Sequence, residues 1–512
     1  MTGALSESKR ELLEKLLRGR TQATSAHFDG IPRRAAGVDV PTSYGQEQLW
    51  IHSQFATEIQ IYNDPITIYR YGTIDRSAVE KAFTEILRRH ESWRTTFGWK
   101  NGELMQFVQP PPADIEIPYL DLTGVADETS RDDAARKLAL EDAMLPFNLE
   151  TGPTYRVRLV RFSENEHRLY FAFHHIIFDG LSLYKVFYSE LVTLYEAFSQ
   201  NLPSPLPELP LQYGDYSIWQ RDWVKEIAPQ QLAYWRSQLE GAIHHDVLST
   251  DHPRKETQSY RGGMVKLTLD PETSAALKEV NLKLNVTLFM SLLATFYIVL
   301  LAESGEKDLT IATTSAGRHH SELEALMGYF LDTLVLRVSL ASDPTFAELA
   351  MQCKEVLLGA LANDGIPFSM LVKELSQERA RNRHPFFQVM FSLEPPLPSH
   401  GPAWRFARMD IHNGSTKFDM NLELDDTPHG IEGRLVYNCQ LFERATVERM
   451  AEDWYAIVAQ VAADPTRRIS TVVAELEVCK EAALTEELAD PDDASPEPNR
   501  FIKSVRRLFS AK

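Results

Sequence analysis

The chain is predicted to be an α/β protein of the mixed α+β type with two or more domains, and three observations lead there. The run YRVRLVRF (Tyr155 to Phe162) alternates polar and apolar residues, SENEH supplies a turn, and RLYFAF (Arg168 to Phe173) is apolar again, which reads as a hairpin. After Gly180, the residues Leu183, Val186, Phe187, Leu191, Leu194 and Phe198 fall at helical spacing, so the order there is strand, tight turn, helix. Finally, 512 residues exceed what one compact core usually holds.

The remaining elements follow in chain order. LSESKRELLEKLLRGR carries Ser8 and Glu11 at capping-box spacing, a stripe of Leu12, Leu13, Leu16 and Leu17, and Gly19 as a stop, which predicts a short amphipathic helix. Packing on its own lobe is one use of that stripe. Residues 21 to 35 could add a hairpin turning at Asp29-Gly30, although Pro32 limits the strand that follows. The apolar run Val286 to Ala302 is slightly short for a bilayer and carries Thr287, Ser291 and Thr295 every four residues, so a buried helix is expected rather than a membrane span. Ala489 to Asn499 reads as a linker, and Arg500 to Lys512 as a basic amphipathic tail, docked on its own protein or solvated.

The densest chemistry lies in FAFHHIIFDG, Phe171 to Gly180. A histidine where a strand ends sits at a cleft mouth, where its imidazole can take a proton from an attacking amine or alcohol, or hold that nucleophile, with no Ser or Cys intermediate. Asp179 suits a buried ion pair that fixes the turn, and Gly180 permits close backbone approach and an N–H toward a developing oxyanion. Two other readings stand beside acyl transfer. The pairs His244-His245 and His319-His320 show that adjacent histidines alone mean little, which leaves a structural role open. Two His and one Asp are also a legitimate metal set, although neighbours on a strand point to opposite faces and His174 and His175 would then rarely share an ion.

Charge and cysteine content narrow the field. Lys and Arg number 53 against 72 Asp and Glu, a formal charge of -19, which repels nucleic acid and anionic membrane. Cys353, Cys439 and Cys479 are scattered, so neither a disulfide framework nor a zinc ribbon is indicated. Residues 1 to 20 lack a signal-peptide core, and a cytoplasmic protein is expected.

Seven segments stand out along the chain: TSYGQEQLW from Thr42, RHESWRTTF from Arg89, the HHIIFDG block, YGDYSIWQR from Tyr213, MGYFLDTLVLR from Met327, HPFFQVMFSLE from His384 and KFDMNLEL from Lys417. Together they resemble the condensation domains of nonribosomal peptide synthetases, over about Val38 to Ile469. Three positions depart from the family pattern: Gln48 replaces an Arg, Trp93 a Leu, and Asp332 an Asn, the last adding a potential charge near the cleft.

The resemblance implies two lobes like chloramphenicol acetyltransferase, arranged as a V-shaped pseudo-dimer with the active site at the junction. The lobes are placed at 36–215 and 216–470, preceded by a possible docking segment at 1–35 and followed by a linker and tail at 471–512. It further implies that His175 is catalytic, that His174 is structural, that Asp179 braces the site with Arg261 in SYRGG as its ion-pair partner, and that Gly180 flanks the active histidine. No cofactor or metal is expected on the chain itself, because the acyl group arrives on the phosphopantetheine of an acyl or peptidyl carrier protein.

No adenylation or carrier domain follows, so the expected enzyme is a free-standing monomer of the chain-releasing type found in hybrid polyketide and peptide systems. It would recruit its carrier in trans and acylate a small hydroxyl- or amine-bearing acceptor. An elongating condensation domain working between two carriers, a non-catalytic recruitment domain and an epimerisation relative are the alternatives. Cyclisation relatives replace the histidine pair and are excluded.

Overall fold

The computed structural model describes residues 30–55, 59–242, 247–257, 259–375 and 383–476; the expected N-terminal helix, most of the hairpin after it and the C-terminal tail lie outside these. The predicted hairpin is present as Tyr155–Ser163 and Glu166–His174, antiparallel, at the centre of a five-stranded sheet. Its order is Trp404–Ala407, Asn63–Tyr71, Glu166–His174, Tyr155–Ser163, Tyr119–Asp121. Alternation along Glu166–His174 sends Phe171 and Phe173 to one side, where they stack 5.4 Å apart and meet Phe83, Trp93 and Phe187. Phe83 comes from the helix Arg76–Arg89, which is capped by Asp75 accepting from Ala78 N at 3.2 Å.

The second half builds a six-stranded sheet in the order Asp332–Ser339, Asp308–Ser315, Val389–Glu394, Met420–Thr427, Gly430–Asn438, Gly262–Leu269. The apolar run expected to be a core helix is the helix Leu288–Ser304, buried through its middle. Its polar stripe is satisfied internally: Ser291 and Thr295 bond back to the carbonyls of Leu288 and Leu292, and Thr295 also accepts from Trp454 Nε1 at 3.1 Å. Trp454 belongs to the helix Arg444–Ala463 on the same core. Among the described residues no single helix is long and apolar enough to cross a membrane.

Two features join the halves. The helix Tyr213–Leu239, roughly 40 Å long at 1.5 Å per residue, runs from one to the other, so the expected boundary at 215/216 falls inside it. Asp215 reaches back to accept from Gln212 N at 2.8 Å at its start, and also accepts from Arg34 Nη1 at 2.8 Å. The strand Trp404–Ala407, by contrast, leaves the second half to pair with Asn63–Tyr71 at the edge of the first sheet.

Candidate active site

A cavity of ≈ 1810 Å³ lies between the halves, and His175, Gly180 and Tyr184 line it from the first half together with Tyr329, Ser415, Lys417 and Arg434 from the second. The local chain path explains why one histidine reaches it. His174 is the last residue of its strand, paired with Asn63, and its ring turns into the first half, where Nδ1 accepts from Ile176 N at 3.2 Å. The chain then makes a 3₁₀ turn over His175–Ile177, which swings His175 to the cavity wall. Burial pushes the His174 imidazole down to about 3, so it is neutral.

His175 is held on all sides but one. Its backbone N donates to Tyr62 O at 2.8 Å, its ring stacks on Phe178 at 4.7 Å, and the ring of Tyr329 meets it edge-on at 5.2 Å. Nδ1 lies 3.0 Å from Phe178 O. A carbonyl only accepts, so Nδ1 carries a proton, and in the neutral ring Nε2 then keeps its lone pair. Burial lowers the basicity of the ring, Lys417 adds to that, and Asp64 and the Phe178 carbonyl oppose it. On the Nε2 side, Asp64 Oδ2 lies 3.4 Å away.

Asp179 is fully buried and acts as the cap of the following helix, accepting from Ser182 N at 2.7 Å. Gly180 opens that helix, in the turn whose backbone N–H groups have no intrahelical acceptor, and a Cβ there would come within 3.0 Å of Tyr184. Asp179 is ion-paired, but its partner is not the expected Arg261. Arg318 Nη2 donates to Asp179 Oδ1 at 3.0 Å, and the second carboxylate oxygen accepts from Phe330 N at 3.1 Å. Arg318 is itself fixed by the carbonyls of Leu323 and Leu326 and lies over the Phe330 ring at 4.0 Å.

Arg261 is exposed instead, bridged through its backbone to Ser415 and Cys439 at the start of an edge strand. Among the described residues, its guanidinium pairs with no buried carboxylate. The Asp179 carboxylate is committed to Ser182 N, Arg318 and Phe330 N, and His174 faces away, so with His175 they do not converge as a ligand set. Sequence reading also missed Asp64, Ser182, Tyr329 and Lys417; the available pointer to Arg318 was the Gly317-Arg318 pair directly after the strand Asp308–Ser315.

Asp332, one of the departures from the family pattern, uses Oδ1 to accept from Thr333 N at 2.8 Å and Phe368 N at 3.0 Å. Burial raises its carboxyl to about 7. Oδ1 thus accepts hydrogen bonds as an Asn amide oxygen could. Asp332 and Gln48 both line a small side chamber that adjoins the main cavity.

Residues 38–482 match the family model described as the condensation domain, and the chain belongs to that family. One of the linear gramicidin synthase proteins of Brevibacillus parabrevis is 38% identical over 466 residues, which cover 90% of this chain and 6% of that protein. Phosphinothricin tripeptide synthetase PhsC of Streptomyces viridochromogenes is 34% identical over 477 residues, covering 90% and 42%. The chain therefore spans less than half the length of either relative.

The crystal structure of the X-domain from teicoplanin biosynthesis superposes with a TM-score of 0.74 at 26% identity, covering 86% of this chain and 99% of that one; the X-domain has also been solved in complex with OxyB. The fold is the expected pair of acetyltransferase-like lobes in a V. Condensation domains are bond-forming, acyltransferase-type enzymes.

Proposed function

We propose that this chain is a chain-releasing condensation enzyme that transfers an acyl group from a carrier-protein phosphopantetheine thioester to a hydroxyl or amine acceptor, giving an ester or amide. The observation that carries the reading is His175: its Nδ1–H is pinned to Phe178 O, which in the neutral ring leaves the lone pair on Nε2, and the residue lines a cavity shared by both lobes. The acceptor's proton passes to Nε2 as its oxygen or nitrogen attacks the thioester carbonyl. The developing oxyanion is assigned to backbone N–H donors of the turn at Gly180. Collapse expels the thiolate, which takes the proton back from Nε2 and leaves as the free carrier thiol.

Release to a soluble acceptor, with the carrier recruited in trans, follows the resemblance to free-standing enzymes of hybrid systems, the enacyloxin release enzyme among them. A recruitment role without chemistry is the second reading, favoured by the X-domain, which has been solved in complex with OxyB. Acyl-loaded carrier incubated with matched hydroxy and amino acceptors, with products read by mass spectrometry, separates the readings. We expect a released ester or amide, and His175→Ala, still folded, to lose roughly two or more decades of turnover. Acylation of only a second carrier-bound amine would leave elongation, and near-normal turnover in His175→Ala would remove the histidine from the mechanism.

A further inference from the structure

Asp64 lies on the strand Asn63–Tyr71, directly opposite Phe173. Alternation along that strand puts Asn63 on the His174 side of the sheet, where its amide donates to the carbonyls of Ala143 and Leu145 at 2.8 Å, and Asp64 on the Phe173 side, at the strand end that the cavity reaches. The side chain of Asp64 is 38% exposed, and Oδ2 stops 3.4 Å from His175 Nε2. In the neutral ring Nδ1 holds the proton, so Nε2 sets a lone pair against a carboxylate oxygen. Two acceptors side by side repel. The same contact becomes attractive once a proton reaches Nε2, so it favours the state formed during the reaction over the resting one, which is what accelerates a step.

We propose that Asp64 is a positioning residue that holds His175 in its proton-bearing form as the acceptor attacks, fitting the site to hydroxyl acceptors over amines. The inference rests on the acyl-transfer reading above. A neutral amine attacks a thioester before losing its proton, whereas an alcohol gains most from a base that takes the proton during attack. In the balanced step, the acceptor O–H bond breaks, its proton moves to Nε2, the new C–O bond forms, and the imidazolium N–H is shared with Asp64. Loss of the C–S bond then returns that proton to sulfur.

Other charged or titratable groups face this pair. Lys417, from the segment before Met420–Thr427, lies with Nζ 4.9 Å from the Tyr62 ring centre and opposes protonation of His175. Asp179 favours it but is neutralised by Arg318. His174 adjoins on the chain, the Tyr329 hydroxyl belongs to the facing ring, and Arg434 senses Asp64 across the cavity. Among these, Asp64 is the carboxylate that comes within 3.4 Å of Nε2.

The test uses Asp64→Asn and Asp64→Glu in the full chain with acyl-loaded carrier and matched hydroxy and amino acceptors. Asp64→Asn should lower kcat for the hydroxyl acceptor roughly ten- to a hundredfold with little change in KM. Amine turnover should stay within about threefold, and Asp64→Glu should restore part of the loss. NMR titration of the His175 imidazole should move to lower pH by about one unit in Asp64→Asn, and the acid limb of kcat should follow it. Equal losses with both acceptors, or a His175 titration unmoved by Asp64→Asn, would overturn the proposal. If the wild-type enzyme acylates no free acceptor, the release reading fails on its own, while the imidazole titration still decides the pairing.

Discussion

His174 and His175 are the same residue one peptide bond apart, and the turn between them gives one a core and the other a cavity. The buried member should be visible in stability. Its folded-state value of about 3 lies below the ordinary 6.5, so between those limits the unfolded chain binds the extra proton. Stability present above about pH 6.5 is therefore lost as the pH falls through that window, at about 1.4 kcal/mol per pH unit. His174→Asn keeps an acceptor for Ile176 N without a basic nitrogen. Its Tm should fall less steeply than the wild type's between about pH 6.5 and 4.5, with the buried His384, lowered to about 4, contributing a shared slope to both. Parallel curves would mean that His174 is not the group being titrated.

At the scale of the element, the turn from His174 to Gly180 was legible because a strand pattern, an aspartate and glycine at the turn, and a helical pattern meet within a short stretch of chain. The residue that braces it was not. Arg318 stands 139 positions from Asp179, and only closure of the two halves brings the guanidinium to the carboxylate. Asp64 escaped notice for another reason: a charged residue on a strand looks like an ordinary solvent-facing position until the cavity beyond it is known. The corrected brace predicts that Arg318→Ala, which strands a buried carboxylate, destabilises the protein by about 3–5 kcal/mol. Arg261→Ala, at an exposed edge, should stay within about 0.5 kcal/mol. Denaturant unfolding of the two variants checks this, and the opposite ranking would restore the expected pairing.

For the whole molecule, the two-lobed α/β architecture followed from sequence and resemblance, whereas the strand Trp404–Ala407 crossing to the other sheet carried no local signal. Phe406 shows what that crossing contributes, since it is buried against Tyr184 and Tyr188 with ring centres 5.5 and 5.2 Å away. Phe406→Ala should cost about 3–5 kcal/mol, and by calorimetry the loss should appear in one cooperative transition rather than in the second half alone. The crossing also sets a schedule for synthesis on the ribosome. Tyr69 beside that edge meets Asp410 at a separation of 341 residues, so the first sheet emerges with an open edge long before its cover exists. At about 5–20 residues per second the wait is roughly 20 to 70 s. Throughout it the nascent chain presents the unpaired side of Asn63–Tyr71, a template for pairing with other chains. Slower translation between these two strands should therefore increase aggregation without altering the finished enzyme.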